Sequence, residues 1–320
     1  MKRRQSKKGK QNSNSEKVIQ EYDYHIPVML EEVCNYLITD TNGTYIDGTL
    51  GGGGHTAEIL ERLSTNGKIL AFDADEQAIE HCTKKFAEEL EKSNSRLFLY
   101  NDNFIRACSI GELRGKVLGL LLDLGVSSRQ LDSGSRGISH RVNSRLTMSF
   151  GSRGNTAEDL LDGADEKEIE SILKKYGEEP FARVIARRIV QRRRAAPLRS
   201  TFDLRSVIEE VVPPHIVSKS ITRVFQAIRI AVNDELGVLE KTLRGIIPLL
   251  APHGRIAVIS YHSLEDRIVK NVFRELADKN QDTPPELTII TSKPQPPTDE
   301  EILRNPRARS AKLRIAEKII

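Results

Sequence analysis

Tyr45-Ile-Asp-Gly-Thr-Leu-Gly-Gly-Gly-Gly-His-Thr56 is the stretch on which the reading of this chain turns. Two β-prone residues, Tyr45 and Ile46, give way at Asp47 to a loop with five glycines between Gly48 and Gly54. The pattern Thr56-Ala-Glu-Ile-Leu-Glu-Arg-Leu63 then has the period of a helix. Strand, glycine loop and helix form the unit with which a parallel α/β sheet brings bare backbone up to a nucleotide-like ligand. Glycine serves there because a Cβ would block the approach and because positive φ is easily reached. A P-loop would end in Gly-Lys-Ser/Thr, and here Gly54 is followed by His55-Thr56. The dinucleotide fingerprint fails as well, since the third glycine position is Thr56. An adenosine-type ligand without a polyphosphate remains, and S-adenosylmethionine is the common one.

Outward from this loop the same alternation continues. Tyr45–Asp47, Lys68–Asp73, Arg96–Tyr100 and Val117–Asp123 read as strands, the last apolar on both faces as a central parallel strand is. A short helix over Glu31–Leu37 precedes them, and a helix through Ala78, Cys82, Phe86 and Leu90 follows the second. The fold expected is α/β, a Rossmann-like doubly wound sheet. Residues 133–155 read as a long loop rich in Gly, Ser, Arg and Asn. Helical patterns then cover Ala157–Leu161, Glu166–Tyr176, Glu179–Arg194, Thr201–Val211 and a single helix Ser220–Gly245. Strand character returns at Gly254–Ser260, Leu287–Thr291 and Ala311–Ile319. The division expected is a basic, disordered tail over 1–22, a sheet domain over 23–134 and 236–320, and an inserted all-helical domain over 135–235.

Composition bounds the setting. No run of the 320 residues approaches the 18 apolar residues of a membrane span, and the Met-Lys-Arg-Arg start carries no apolar signal core. Cys34, Cys82 and Cys108 are far apart, which predicts no metal cluster or disulfide framework and a reducing, cytoplasmic setting. Of 49 basic and 45 acidic residues, seven and one lie in residues 1–20, leaving 42 and 44, a net of −2. A basic surface on the body must therefore come from clustering.

Three places could carry chemistry. Asp73 ends the second strand, where a carboxylate can accept both ribose hydroxyls; Asp75 is the better placed of the two to cap the next helix. Phe104, after the third strand, stands open between a core side chain and a ring against adenine. Asp123-Leu-Gly-Val-Ser-Ser-Arg-Gln130 lies at the carboxyl end of the fourth strand, beside the first, where the sulfonium of a methyl donor would point. On the helical stretch, Arg183, Arg187 and Arg194 share one stripe. With Arg188, Arg192, Arg193 and Arg199 they make seven arginines without an acid between residues 180 and 202, the composition of a phosphate-backbone contact. Arg304–Arg314 is a second basic run, and no aromatic residue interleaves with the arginines.

Long blocks of the chain resemble one family. His25-x-Pro-Val-Met-Leu30, the Asp47–His55 loop, Asp123-Leu-Gly-Val-Ser-Ser with Gln130-Leu-Asp132, Lys175-Tyr-Gly-Glu-Glu179, Phe225–Leu236, Ile259–Lys270 and Asn305–Ser310 are similar to the bacterial 16S ribosomal RNA cytosine-N4 methyltransferases. The resemblance covers about His25 to Ala316. It implies a class I methyltransferase sheet with S-adenosylmethionine held by Gly53, Gly54, His55, Asp73, Phe104, Asp123 and Gln130. It also implies an inserted helical domain that holds RNA, and a cytidine in the decoding region of the small subunit as target. No metal and no membrane are expected. Asp123, or the Val126 and Ser127 carbonyls, could accept the protons of the amine, and the sequence leaves that choice open. A nicotinamide-dependent dehydrogenase and a non-enzymatic ribosome assembly factor are the competing classes. One departure stands out: where the family carries Leu-Asp-Met-Arg-Met-Asp, this chain reads Leu146-Thr-Met-Ser-Phe-Gly151, without either acid.

Overall fold

The computed structural model describes residues 27–125, 136–151, 154–279 and 284–319. Strands β1 (Thr44–Asp47), β2 (Lys68–Phe72), β3 (Leu97–Tyr100), β4 (Val117–Asp123), β5 (Leu250–Ser260), β6 (Leu287–Ile289) and β7 (Lys312–Lys318) form one sheet in the order β3-β2-β1-β4-β5-β7-β6. The first five run parallel, and β7 pairs antiparallel with both β5 and β6. Chain order reverses between β1 and β4, so the carboxyl ends of these two strands flank the crevice where such sheets bind ligands. This is the Rossmann-like architecture expected.

The helices are α1 (Leu30–Leu37), α2 (Gly54–Arg62), α3 (Glu76–Lys85), α4 (Ala87–Leu90), α5 (Ala157–Gly163), α6 (Glu166–Gly177), α7 (Ala182–Ala195), α8 (Thr201–Glu209), α9 (Val217–Asn233), α10 (Glu235–Gly245), α11 (Ser263–Leu276) and α12 (Asp299–Arg304). Strand residues alternate between two cores. Tyr45, Ile69, Leu121 and Ile259 face α1 and α2 through Leu37, Val33 and Ile59. Ile46, Leu70, Leu120 and Val258 face α10 and α11 through Leu239, Leu243, Val269 and Phe273. Both faces are covered, which is why β4 reads as an unbroken apolar run. A third core, with Leu161, Leu173, Ile185, Leu204 and Phe225 at its centre, is built from α5 to α9 together with Leu146 and Met148.

The structure corrects several sequence readings. The helix expected over Ser220–Gly245 is two helices, broken at Asp234, whose φ of 46° is left-handed. The break frees Asn233 and Glu235 for tertiary bonds, which periodicity does not register. The helix expected through Leu90 stops at Phe86 and resumes as a separate turn. The stretch 133–155 is irregular where described, yet Leu146 and Met148 within it are fully buried. Helix α11 follows β5 directly and was not among the expected elements.

Gly119 marks the tightest point of the central strand. An added Cβ there would come 2.7 Å from Tyr45 Cδ1 and 2.8 Å from Leu37 Cδ1. The Tyr45 ring is pinned, because its hydroxyl donates to Asp40 O at 2.8 Å and accepts from the Thr39 and Asp40 amides. Gly119→Ala should destabilise the fold by about 1–3 kcal/mol, which lowers the melting temperature by about 2–4 °C per kcal/mol in a chain of this size. A thermal unfolding curve checks this, and an unchanged midpoint contradicts it.

Candidate active site

The loop between β1 and α2 is held from behind. Cys82 Sγ lies 3.5 Å from Gly51 O, and Lys85 Nζ donates to Gly52 O at 2.9 Å and to Gly53 O at 3.2 Å. With three successive carbonyls drawn towards α3, the amides turn the other way. Gly51 N–H donates to Asp73 Oδ2 at 2.8 Å and Gly53 N–H to Leu50 O at 2.7 Å. The amides of Gly52, Gly54, His55 and Thr56 find no acceptor among the described residues, and no side chain caps α2. Four free N–H groups at the positive end of a helix make a cradle for a carboxylate.

The glycines themselves owe their identity mainly to protein packing. A Cβ on Gly53 would stand 2.7 Å from the Phe86 ring, and one on Gly54 would stand 2.3 Å from Pro27 Cγ. A Cβ on Gly51 would meet only Thr49 O, at an ordinary 3.9 Å, and the φ of +51° is what favours glycine there. At Gly53 and Gly54 glycine is also required by the protein itself, to make room for Phe86 and Pro27.

Three adjacent strands deliver an aspartate to this edge. Asp47 is buried, accepting from Thr49 N–H at 3.0 Å and Thr56 Oγ1 at 2.7 Å. Asp73 accepts from Gly51 and from Asp75 N–H at 2.8 Å, and Asp75 caps α3 through Gln77 N–H. Asp123 accepts from Tyr261 Oη at 2.8 Å, and its own amide donates to Thr49 Oγ1 at 2.7 Å. His55 is buried between Val28 O, 3.1 Å from Nε2, and Asp123 Oδ2, 3.7 Å from Nδ1. Burial drives all three carboxyls upward. Hydrogen bonds and, for Asp47 and Asp123, the nearby His55 oppose the shift without cancelling it. Asp73 is pushed up to about 6. For Asp47 and Asp123 the charge of His55 is the first influence opposing the rise, ahead of the hydroxyl and amide donors; Asp73 relies on the Asp75 and Gly51 amides, and the charge of Asp47 raises both Asp73 and Asp123.

Phe104 is half-buried against the core on the α10 side, opening a 3₁₀ turn that Asn103 caps. A Cβ on Gly48 would stand 2.9 Å from its Cβ, so a side chain at 48 would push this ring away. Of the expected cofactor residues, Gly53, Gly54, His55, Asp73, Phe104 and Asp123 surround one edge of the sheet. Gln130 lies outside the described residues, as do Val126 and Ser127.

The altered block after Arg136 is ordered without the family's acids. Arg136 donates to the carbonyls of Ser149 (3.1 Å) and Phe150 and to Asp75 Oδ1. Asn233 closes the other side, donating to Met148 O at 2.7 Å and accepting from Phe150 N–H at 2.9 Å. This segment therefore bridges the β2–α3 corner and α9. Sequence reasoning gave no role to Arg136, Asn233, Lys85 or Tyr261, although Tyr261 and Asn233 both fall in blocks that carry the family resemblance.

Arg183, Arg187 and Arg194 are exposed on α7, as the helical period predicts. The surrounding face is less purely basic than the sequence suggests, because acids arrive from other helices. Arg187 pairs with Glu166, Arg188 with Glu210, and Arg199 with Glu158 and Asp162. Arg193 caps α5 through the carbonyls of Leu161 and Ala164. Arg183 and Arg194 have no hydrogen-bonded or ion-paired partner among the described residues. The second basic run is mixed: Arg314 is buried against Asp266 at 2.6 Å, while Arg304, paired with Glu300, and Arg307 and Arg309 are exposed.

Comparison with known proteins identifies the family. The model of the MraW methylase family matches residues 23–319. Proteins named ribosomal RNA small subunit methyltransferase H resemble the chain along almost all of its length. That of Heliobacterium mobile is 45% identical, over 92% of this chain and 99% of its own. That of Fusobacterium nucleatum is 42% identical, over 93% and 98%. No helix among the described residues is long and apolar enough to cross a membrane.

The pH consequence for Asp73 can be signed. Its folded value of about 6 exceeds the ordinary 3.8, so ionisation costs stability as pH rises from about 4 through 6. Asp73→Asn cannot ionise, so its melting temperature relative to wild type should climb across that window. A difference that stays flat from pH 4 to 7 would remove the assignment.

Proposed function

Because the chain belongs to the MraW methylase family, we propose that it transfers a methyl group from S-adenosylmethionine to the exocyclic N4 amine of a cytidine in the decoding region of 16S ribosomal RNA. The observation that carries this reading is the aspartate-lined edge at the β1–β4 reversal, set beside four free amides. S-adenosylmethionine supplies an electrophilic methyl group on a positively charged sulfur. Its chemistry fits the donor set here. The amides of Gly52, Gly54, His55 and Thr56 suit its carboxylate. Asp73 keeps one free lone pair on each oxygen beyond the two amides it already accepts, enough for a ribose diol. Phe104 offers a face to adenine. A site where the buried Asp47 raises the half-buried Asp73 and Asp123 gains from a cationic ligand.

The amine of cytosine is a poor nucleophile because its lone pair is delocalised into the ring. Asp123 is assigned the task of accepting an N–H hydrogen bond, which returns electron density to the nitrogen as the new bond forms. Holding amine and methyl donor together supplies much of the rest, roughly 7–11 kcal/mol where alignment is good. The helical layer over 135–235 is assigned to the RNA, with Arg183, Arg187 and Arg194 meeting phosphates. The small ribosomal subunit is the setting that the names of the relatives suggest.

Mass mapping of 16S RNA from cells lacking the gene should show one missing base methyl group at a cytidine, restored by the purified protein and S-adenosylmethionine. Binding to subunits with no mass increment would make it an assembly factor instead. Asp123→Ala should abolish transfer; near-wild-type transfer removes Asp123 from the reaction. Replacing Arg183, Arg187 and Arg194 together with Ala should weaken RNA binding and reduce the slope of log K against log salt by about one unit per lost phosphate contact. An unchanged slope would return that stripe to solvent.

A further inference from the structure

We infer that Tyr261 is a positioning residue for the transfer: its phenol holds Asp123 by Oδ1 so that Oδ2 is the oxygen presented to the amine. This rests on the reading of Asp123 given above. Tyr261 follows β5, the strand beside β4, and its hydroxyl donates to Asp123 Oδ1 at 2.8 Å. The ring lies along the segment after β4; a Cβ on Gly125 would come 3.0 Å from Tyr261 Cδ2, and φ there is +125°. A side chain at 125 would lift the ring from Asp123. The phenol is pushed far above its ordinary value, first by burial and then by the charge of Asp123, so it acts as a donor and not as a base.

The tyrosine is itself fixed from behind. Its amide donates to Glu265 Oε2 at 2.8 Å, and that of His262 donates to the same oxygen at 3.2 Å. Glu265 is buried at the start of α11. Burial opposes its charge, yet His262, the Tyr261 amide and the charge of Arg229 together hold it below the usual carboxylate range. Arg229 belongs to α9 and is bound by Glu235 at 2.8 and 3.0 Å. The tether of Asp123 therefore continues through Tyr261 to Glu265 at the start of α11, where the charge of Arg229 acts on it through space.

Four titratable side chains act on Asp123 among the described residues: His55 from α2, Asp47 from β1, Tyr261 after β5 and Glu265 from α11. Burial raises its carboxyl, Asp47 and Glu265 add to that, and His55 and the Tyr261 hydrogen bond oppose it. Removing the phenol oxygen removes a donor to the ionised form, so Asp123 in Tyr261→Phe must titrate at higher pH.

The test is Tyr261→Phe, which deletes one oxygen and leaves the ring. Its kcat for methyl transfer to 16S RNA should fall by about 10- to 100-fold, while the dissociation constant for S-adenosylhomocysteine stays within about twofold. The acid limb of its kcat–pH profile should move to higher pH, which a merely structural role would not cause. Wild-type kcat with an unmoved limb overturns the proposal. If the wild-type enzyme puts no methyl group on 16S RNA, the functional reading fails by itself. The tether is then decided by the ¹³Cγ titration of Asp123 in the free protein. An upward move in Tyr261→Phe upholds it, and coincident curves overturn it.

Discussion

The arrangement of this site depends on one electrostatic constraint: three neighbouring strands each end in an aspartate, and the three share a poorly solvated edge. Like charges in such a place raise each other, and burial raises them all. A lysine or arginine among them would relieve the cost and also occupy the space of a cationic ligand. The chain instead sets His55 beside Asp47 and Asp123 and adds amides and hydroxyls: Thr49 and Thr56 on Asp47, Gly51 and Asp75 on Asp73, Tyr261 on Asp123. The cations nearest the edge are turned elsewhere. Lys85 holds the carbonyls of the glycine loop, and Arg136 is bound to Asp75 and two carbonyls. Negative charge that His55 and neutral donors only partly offset is what such a site offers to a sulfonium.

The same constraint explains the shape of the glycine loop. For Asp73 to receive the Gly51 amide, the peptide planes on either side must turn their carbonyls away, towards α3. Left-handed φ at Gly51 and Gly53 allows that turn, and Lys85 and Cys82 accept its result. The loop is thus a device for orienting amides. Close packing by Phe86 and Pro27 keeps it from relaxing.

Much of the fold was legible in the sequence. The strand alternation, the covered central strand and the run of helices all follow from periods of 2 and 3.6, which local sequence reports. Candidate residues Asp73 and Asp123 were legible because a strand-end carboxylate has few other uses at a reversal of strand order. The break at Asp234 was not legible, since it lets Asn233 reach Met148 and Phe150 across the fold and turns Glu235 back onto Arg229 of the preceding helix. Tyr261 was missed for a similar reason: its partner is 138 positions away in the chain. The arginine stripe was overread in the opposite sense. Absence of acids between residues 180 and 202 says nothing about Glu166, Glu210 and Glu158, which the helix packing brings alongside.

That overreading sharpens what the helical layer can contribute. A fully basic face would bind any polyanion, and affinity alone would not place a base at the sheet edge. With Arg188, Arg193 and Arg199 committed to helix contacts, the free charge of the seven rests on Arg183, Arg194, the lightly paired Arg187 and Arg192, which donates only to Ala196 O at 3.4 Å. Exposed pairs such as Arg187–Glu166 are worth little, about 0–1 kcal/mol, so a phosphate can displace the carboxylate at small cost. Position must come from a stiffer connection, and Arg136 and Asn233 provide one between the layers around residues 148–150. It is half-buried, and it ends on Asp75, whose amide donates to Asp73. A shift of α9 would therefore be felt at Asp75 and through it at Asp73, so the placing of RNA and the setting of the aspartate edge are mechanically one problem.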